Sequence, residues 1–85
     1  MLDTETLRNN IRENLINLRI SNKLTQEDVG NVVDKKFTTV ASWEQGKSLP
    51  DLQTLYRLSL YYKKSMEYFY ENNPTKNNRR PSGSD

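Results

Sequence analysis

No cysteine and no histidine occur anywhere in this 85-residue chain. Their absence excludes disulfides, thiolate nucleophiles, zinc sites built from Cys and His, and any Ser-His-Asp triad. Acid/base chemistry by carboxylates alone needs an enclosed pocket, which a chain this short rarely builds. Only 33% of the residues are apolar, so the core must be small and economically placed. No enzyme, cofactor or metal is therefore expected. There is no run of 18 apolar residues to span a membrane. The start, Met1-Leu2-Asp3-Thr4-Glu5, has neither the basic region nor the apolar run of a secretory signal. A cytoplasmic, single-domain protein is the expectation.

What is present is charge, unevenly placed, and helical periodicity. The net charge is +2. Residues 1–34 carry four basic and six acidic side chains, and residues 35–85 carry nine basic and five acidic. That asymmetry points the later part of the chain toward a polyanion. From Asn72 to Asp85 there is no large apolar residue, while Lys76, Arg79 and Arg80 are basic. Such a segment cannot offset its ordering entropy by burial. The expected organisation is a domain over 1–71 and a flexible basic tail over 72–85.

Five short helices are predicted within the domain, and no strand. Leu7, Ile11, Leu15 and Leu18 fall on one face of the first. Thr25 and Asp28 have the spacing of a capping box for the second, which carries Val29 and Val33 inward. Val40 and Trp43 place the third over roughly 37–45, with Gly46 as its left-handed stop. Asp51 caps the fourth, whose predicted inward stripe is Leu52, Leu55, Leu58, Ser59 and Tyr62. Ser65 caps a last turn that buries Met66 and Phe69. A lone Trp at helical spacing from Val40 belongs to the core, and is not a stacking platform for bases.

Three stretches together carry a resemblance: Leu24-Thr25-Gln26-Glu27-Asp28-Val29-Gly30, then Thr39-Val40-Ala41-Ser42-Trp43-Glu44-Gln45-Gly46-Lys47, then Leu49-Pro50-Asp51-Leu52-Gln53-Thr54-Leu55. They closely resemble the helix-turn-helix domain of the phage repressor/Cro-like (Xre) family. Ser65-Met66-Glu67-Tyr68-Phe69 is similar to that family's closing turn. The resemblance covers about residues 11–70. It implies an all-α, compact five-helix domain that binds double-stranded DNA as a repressor-like transcriptional regulator. In that arrangement the second helix of the pair lies in the major groove and the first crosses the backbone.

The resemblance also assigns residues. Base contacts fall to Lys36, Phe37, Thr38 and Ser42, with Ala41 a weaker candidate. Phosphate contacts fall to Thr25, Gln26, Thr39, Gln45 and Lys47, the glutamine aided by the dipole of the helix it begins. Arg19 and Glu44 match a structural ion pair that fixes the DNA-reading helix. Gly30 stands where the two helices approach closely. Phe37 departs from the usual polar residue. Facing outward, it can press on a thymine methyl; turned inward, it fills the place left by Lys35 and shifts every base contact by one. Lys36 replaces the usual Ser or Thr cap, which leaves Asp34 as the expected cap of that helix. Lys35 and Lys64 stand at usually apolar positions, where their stems can cover apolar surface. Five tyrosines, at 56, 61, 62, 68 and 70, exceed the needs of a small core, and Tyr61, Tyr68 or Tyr70 is the expected face of a homodimer. The alternative function is a protein-binding module such as an antitoxin or adaptor on the same fold, with a regulatory protein as partner.

Overall fold

The protein is described here by a computed structural model covering residues 3–74. Five helices follow in order: α1 Thr4–Ser21, α2 Gln26–Val33, α3 Phe37–Glu44, α4 Leu52–Tyr62 and α5 Met66–Tyr70. No strand occurs among the described residues. Each start is set locally. Asp3, Thr25, Asp51 and Ser65 accept the backbone N–H of Thr6, Asp28, Thr54 and Tyr68, three residues on in each case. Thr25 and Asp28 complete a reciprocal capping box, which satisfies two amides that a bare helix start leaves without partners.

Lys36 begins α3 with no side-chain cap. The expected cap, Asp34, does something else. It ends α2 in the left-handed conformation (φ 61°, ψ 46°) and its N–H donates to the Gly30 carbonyl. Two residues before the N-cap, and committed to closing the previous helix, it is not the cap of α3. Gly46 (φ 79°) turns the chain after α3, a conformation that suits a residue without a Cβ.

The core gathers Ile11, Leu15 and Leu18 of α1, Val29 and Val33 of α2, Val40 and Trp43 of α3, Leu55 and Leu58 of α4, and Phe69 of α5. Leu52 is a correction to the predicted stripe: it is 69% exposed. At about 100° per residue it lies roughly 70° off the centre of the Leu55–Leu58–Ser59–Tyr62 face. It starts the helix, so no preceding turn covers it.

Hydrogen bonds to the rest of the structure also reach Asn73, two residues past 71. Asn14, 1% exposed, donates from Nδ2 to the carbonyls of Tyr68, Phe69 and Glu71 at 3.0, 2.9 and 2.8 Å. Its Oδ1 accepts from Asn73 Nδ2 at 3.1 Å, and the Asn73 amide also reaches the Tyr68 carbonyl at 2.6 Å. Asn10 holds the Tyr70 carbonyl at 2.9 Å. A helix end leaves carbonyls unsatisfied, and here two asparagines of α1 satisfy them. The rest of the expected tail, with Lys76, Arg79 and Arg80, lies outside the described residues.

Candidate nucleic-acid interface

α2 and α3 are joined by a tight turn. The Lys35 N–H donates to the Gly30 carbonyl at 2.8 Å. A Cβ on Gly30 would stand 2.5 Å from the Lys35 carbonyl oxygen. The close approach foreseen at Gly30 is thus real, and what approaches is turn backbone, which cannot swing aside as a side chain can.

The inner face of α3 is fixed by Val40 and Trp43, 2% and 4% exposed. The far end of α3 is held by an ion pair. Arg19 Nε donates to Glu44 Oε2 at 2.7 Å and Arg19 Nη2 to Oε1 at 3.0 Å. The fork matches the carboxylate in the bidentate way that makes such pairs strong. Arg19 Nη1 also donates to the Leu24 carbonyl at 3.0 Å. The two side chains are only 18% and 8% exposed. The hydrogen bond to Glu44 raises the Arg19 pKa above its ordinary value, against the opposing effect of burial. Beside the pair lies the Tyr62 hydroxyl, buried and with no hydrogen-bond partner. Burial raises its pKa, the neighbouring Tyr61 and Glu44 add to the rise, and Arg19 opposes it.

Glu44 has a third donor. Gln26 Nε2 reaches Oε1 at 3.0 Å, so one side chain on α3 ties both α1 and the first turn of α2. Gln26 is half-buried, with one amide hydrogen left for an outside acceptor. That tie could not be read from the residue types, because Gln26 and Glu44 stand 18 positions apart.

The opposite edge of α3 is open. Lys36 and Thr38 are exposed, and Phe37 is 55% exposed, so of the two orientations considered for Phe37 the outward one is found. Ser42 is half-buried and its hydroxyl pairs with that of Ser48 at 2.8 Å, which leaves it part of its hydrogen-bonding capacity. Thr25, Gln45 and Lys47 are exposed and Thr39 is half-buried. Lys35 is exposed rather than laid on the core, and Lys64 Nζ stands 4.7 Å from the centre of the Tyr68 ring.

Four further residues join this surface without having been singled out in the sequence. Glu27 and Asn31, one turn apart on α2, line a groove with Lys35, Lys36, Phe37 and Thr38. Arg8 Nη2 lies 3.5 Å from the Gly46 carbonyl, and the Arg12 stem lies beside Gly46, its Cδ 3.5 Å from where a Cβ would stand. Arg12 also pairs with Glu13 at 3.1 Å. Arg8 and Arg12 stand at i, i+4 on α1, so they share one side of that helix. Only the packing of α1 on α3 sets them beside the turn after α3.

A buried two-helix core with the outer edge of its second helix free, and polar groups at the start of the first and the end of the second, defines a helix-turn-helix protein. A family model described as Helix-turn-helix matches residues 15–69, well over half of the chain. The chain belongs to this family, of the Cro-like type, and is a DNA-binding helix-turn-helix regulator. No curated protein and no solved structure matches it. No helix among the described residues is long and apolar enough to cross a membrane.

Proposed function

We propose that the protein is a sequence-specific, repressor-like transcriptional regulator that inserts the exposed edge of α3 into the major groove of double-stranded DNA and acts by binding, without catalysis. One observation carries this: α3 presents Lys36, Phe37 and Thr38 to solvent while Val40, Trp43 and Glu44 hold its other side immobile. A reading edge must not move if it is to discriminate between bases. Lys36 donates to guanine O6/N7, Phe37 packs on a thymine methyl, and Thr38 takes either polarity of base edge. Ser42, already paired with Ser48, discriminates less strongly. Thr25, Gln26, Thr39, Gln45 and Lys47 hold phosphates on either side. Repression follows from occupancy, since a duplex filled in this way is closed to other proteins. Two copies read two half-sites one helical turn apart.

The test is a binding series on a duplex selected from a random pool. Lys47→Ala is expected to weaken all duplexes alike and to reduce the salt dependence by about one released counterion. Thr38→Ala should instead relax preference at one base pair, at about 1–3 kcal/mol. If both variants behave identically, or the chain prefers no duplex over another, α3 is not the reading element.

A further inference from the structure

Three large apolar side chains on α4 are left in solvent: Leu52 at 69%, Tyr56 at 54% and Leu60 at 61% exposure. They stand at i, i+4 and i+8, which makes them one stripe along the helix. It is distinct from the face that Leu55, Leu58 and Ser59 bury. The dimer face expected at Tyr61, Tyr68 or Tyr70 has less to offer. Tyr68 and Tyr70 are half-buried against the core. Tyr61 is 47% exposed but lies roughly 140° around α4 from the stripe.

We infer that the stripe is the contact between two copies of this chain, paired through antiparallel α4 helices with Tyr56 on the two-fold axis. This rests on the reading above only in giving the second copy a second half-site. The pattern Leu–Tyr–Leu is the same in both directions, so a two-fold axis through Tyr56 sets Leu52 of each copy against Leu60 of the other. Self-complementarity of this kind is what an isologous interface requires. Residues 75–85 contain no large apolar side chain to lay over the stripe. Arg57 is the only charge on α4, so no charge pattern selects a partner of opposite sign.

Area sets the strength. Side chains on the order of 150–200 Å² each, exposed as these are, present roughly 300 Å² per copy. With interfaces about 56–65% apolar, that supports roughly 1,000 Å² of total burial, the low end for a specific complex. The dimer is therefore weak in free solution and completed on DNA, where two half-sites bring the copies together.

Because the chain has no cysteine, single cysteines report the geometry without background. Under mild oxidation, Tyr56→Cys should link to its own copy, and an equimolar mixture of Leu52→Cys and Leu60→Cys should cross-link. Leu52→Cys or Leu60→Cys alone should not, because its copies lie about 12 Å apart along the helix axis, beyond disulfide reach. Sedimentation of the unmodified chain should show self-association at high concentration. Leu52→Glu, which acts twice per dimer, should weaken it by about 100-fold. Equal cross-linking at all three positions, no cross-linking at any, or an unmodified chain that stays monomeric throughout overturns the pairing. Binding of Leu52→Glu to a single half-site keeps the two questions apart. Retained binding with lost association fails neither idea, and loss of duplex binding in the unmodified chain fails the DNA reading alone.

Discussion

Removing the Glu44 carboxylate should be among the most damaging single changes to this fold. Glu44→Ala deletes the acceptors of three hydrogen bonds, two from Arg19 and one from Gln26. It also leaves the Arg19 guanidinium, whose side chain is 18% exposed, with the Leu24 carbonyl as its remaining partner. Breaking a buried pair from one side typically costs 3–5 kcal/mol, because the surviving charge stays desolvated. Partial access of water to Arg19 places the value near the bottom of that range, at about 3 kcal/mol. A domain of this size has roughly 4–10 kcal/mol in total. The midpoint of thermal unfolding should therefore drop by roughly 12–24 °C. Circular dichroism melts and urea titrations measure this directly. A paired Arg19→Met/Glu44→Leu substitution should restore much of the loss, since apolar residues of similar volume remove both charges together. A cost for Glu44→Ala below about 1 kcal/mol, the value of a solvated surface pair, would refute the reasoning, because the pair would then not be desolvated.

Other outcomes follow from the same geometry. Gly30→Ala gains about 1 kcal/mol of helix propensity, but its Cβ meets the Lys35 carbonyl; urea unfolding should show a net loss of about 1–3 kcal/mol, and a net gain would mean that the turn yields freely. Asn14→Leu takes the side-chain donor from the Phe69 carbonyl and removes one of the acceptors of the Asn73 amide, which keeps the Tyr68 carbonyl, and should cost about 1–3 kcal/mol in the same assay; a loss under about 0.5 would show that the asparagine clamp contributes nothing. Tyr62→Phe removes a buried hydroxyl without a partner, so stability should hold or rise by up to about 1 kcal/mol, and a clear loss would reveal an unseen acceptor. At low pH the helix caps fail. Hydrogen bonds from the Thr54 side chain and backbone hold the Asp51 carboxyl below its ordinary value, and the backbone and side chain of Thr6 do the same for Asp3. Folded values below unfolded ones mean that this stabilisation is fully present above a pH of about 4 and disappears as pH falls through the folded values. Asp51→Asn, which keeps a capping oxygen without titrating, should flatten that part of the stability–pH curve; an unchanged curve would place the acid sensitivity elsewhere.

Features that depend on neighbours three or four residues apart could be read directly from the order of residues. The caps at Thr25, Asp51 and Ser65, the stripe from Ile11 to Leu18 and the left-handed Gly46 are local matters, settled by helix geometry and by the conformations that each residue type tolerates. The Arg19–Glu44 pair was legible too, though only through the resemblance, since nothing local links residues 25 apart. Packing between the helices set the rest. It sent Asp34 to close α2 instead of opening α3, left Leu52 beside Tyr56 and Leu60 in solvent, and drew Gln26 to Glu44. It also tied Asn73 to Asn14, and set Arg8 and Arg12 beside the turn after α3. Each of these outcomes depends on which helix lies against which. A periodic pattern gives the apolar side of a helix, but only packed neighbours decide how wide a strip of that side is covered and which polar groups at its margin find a partner.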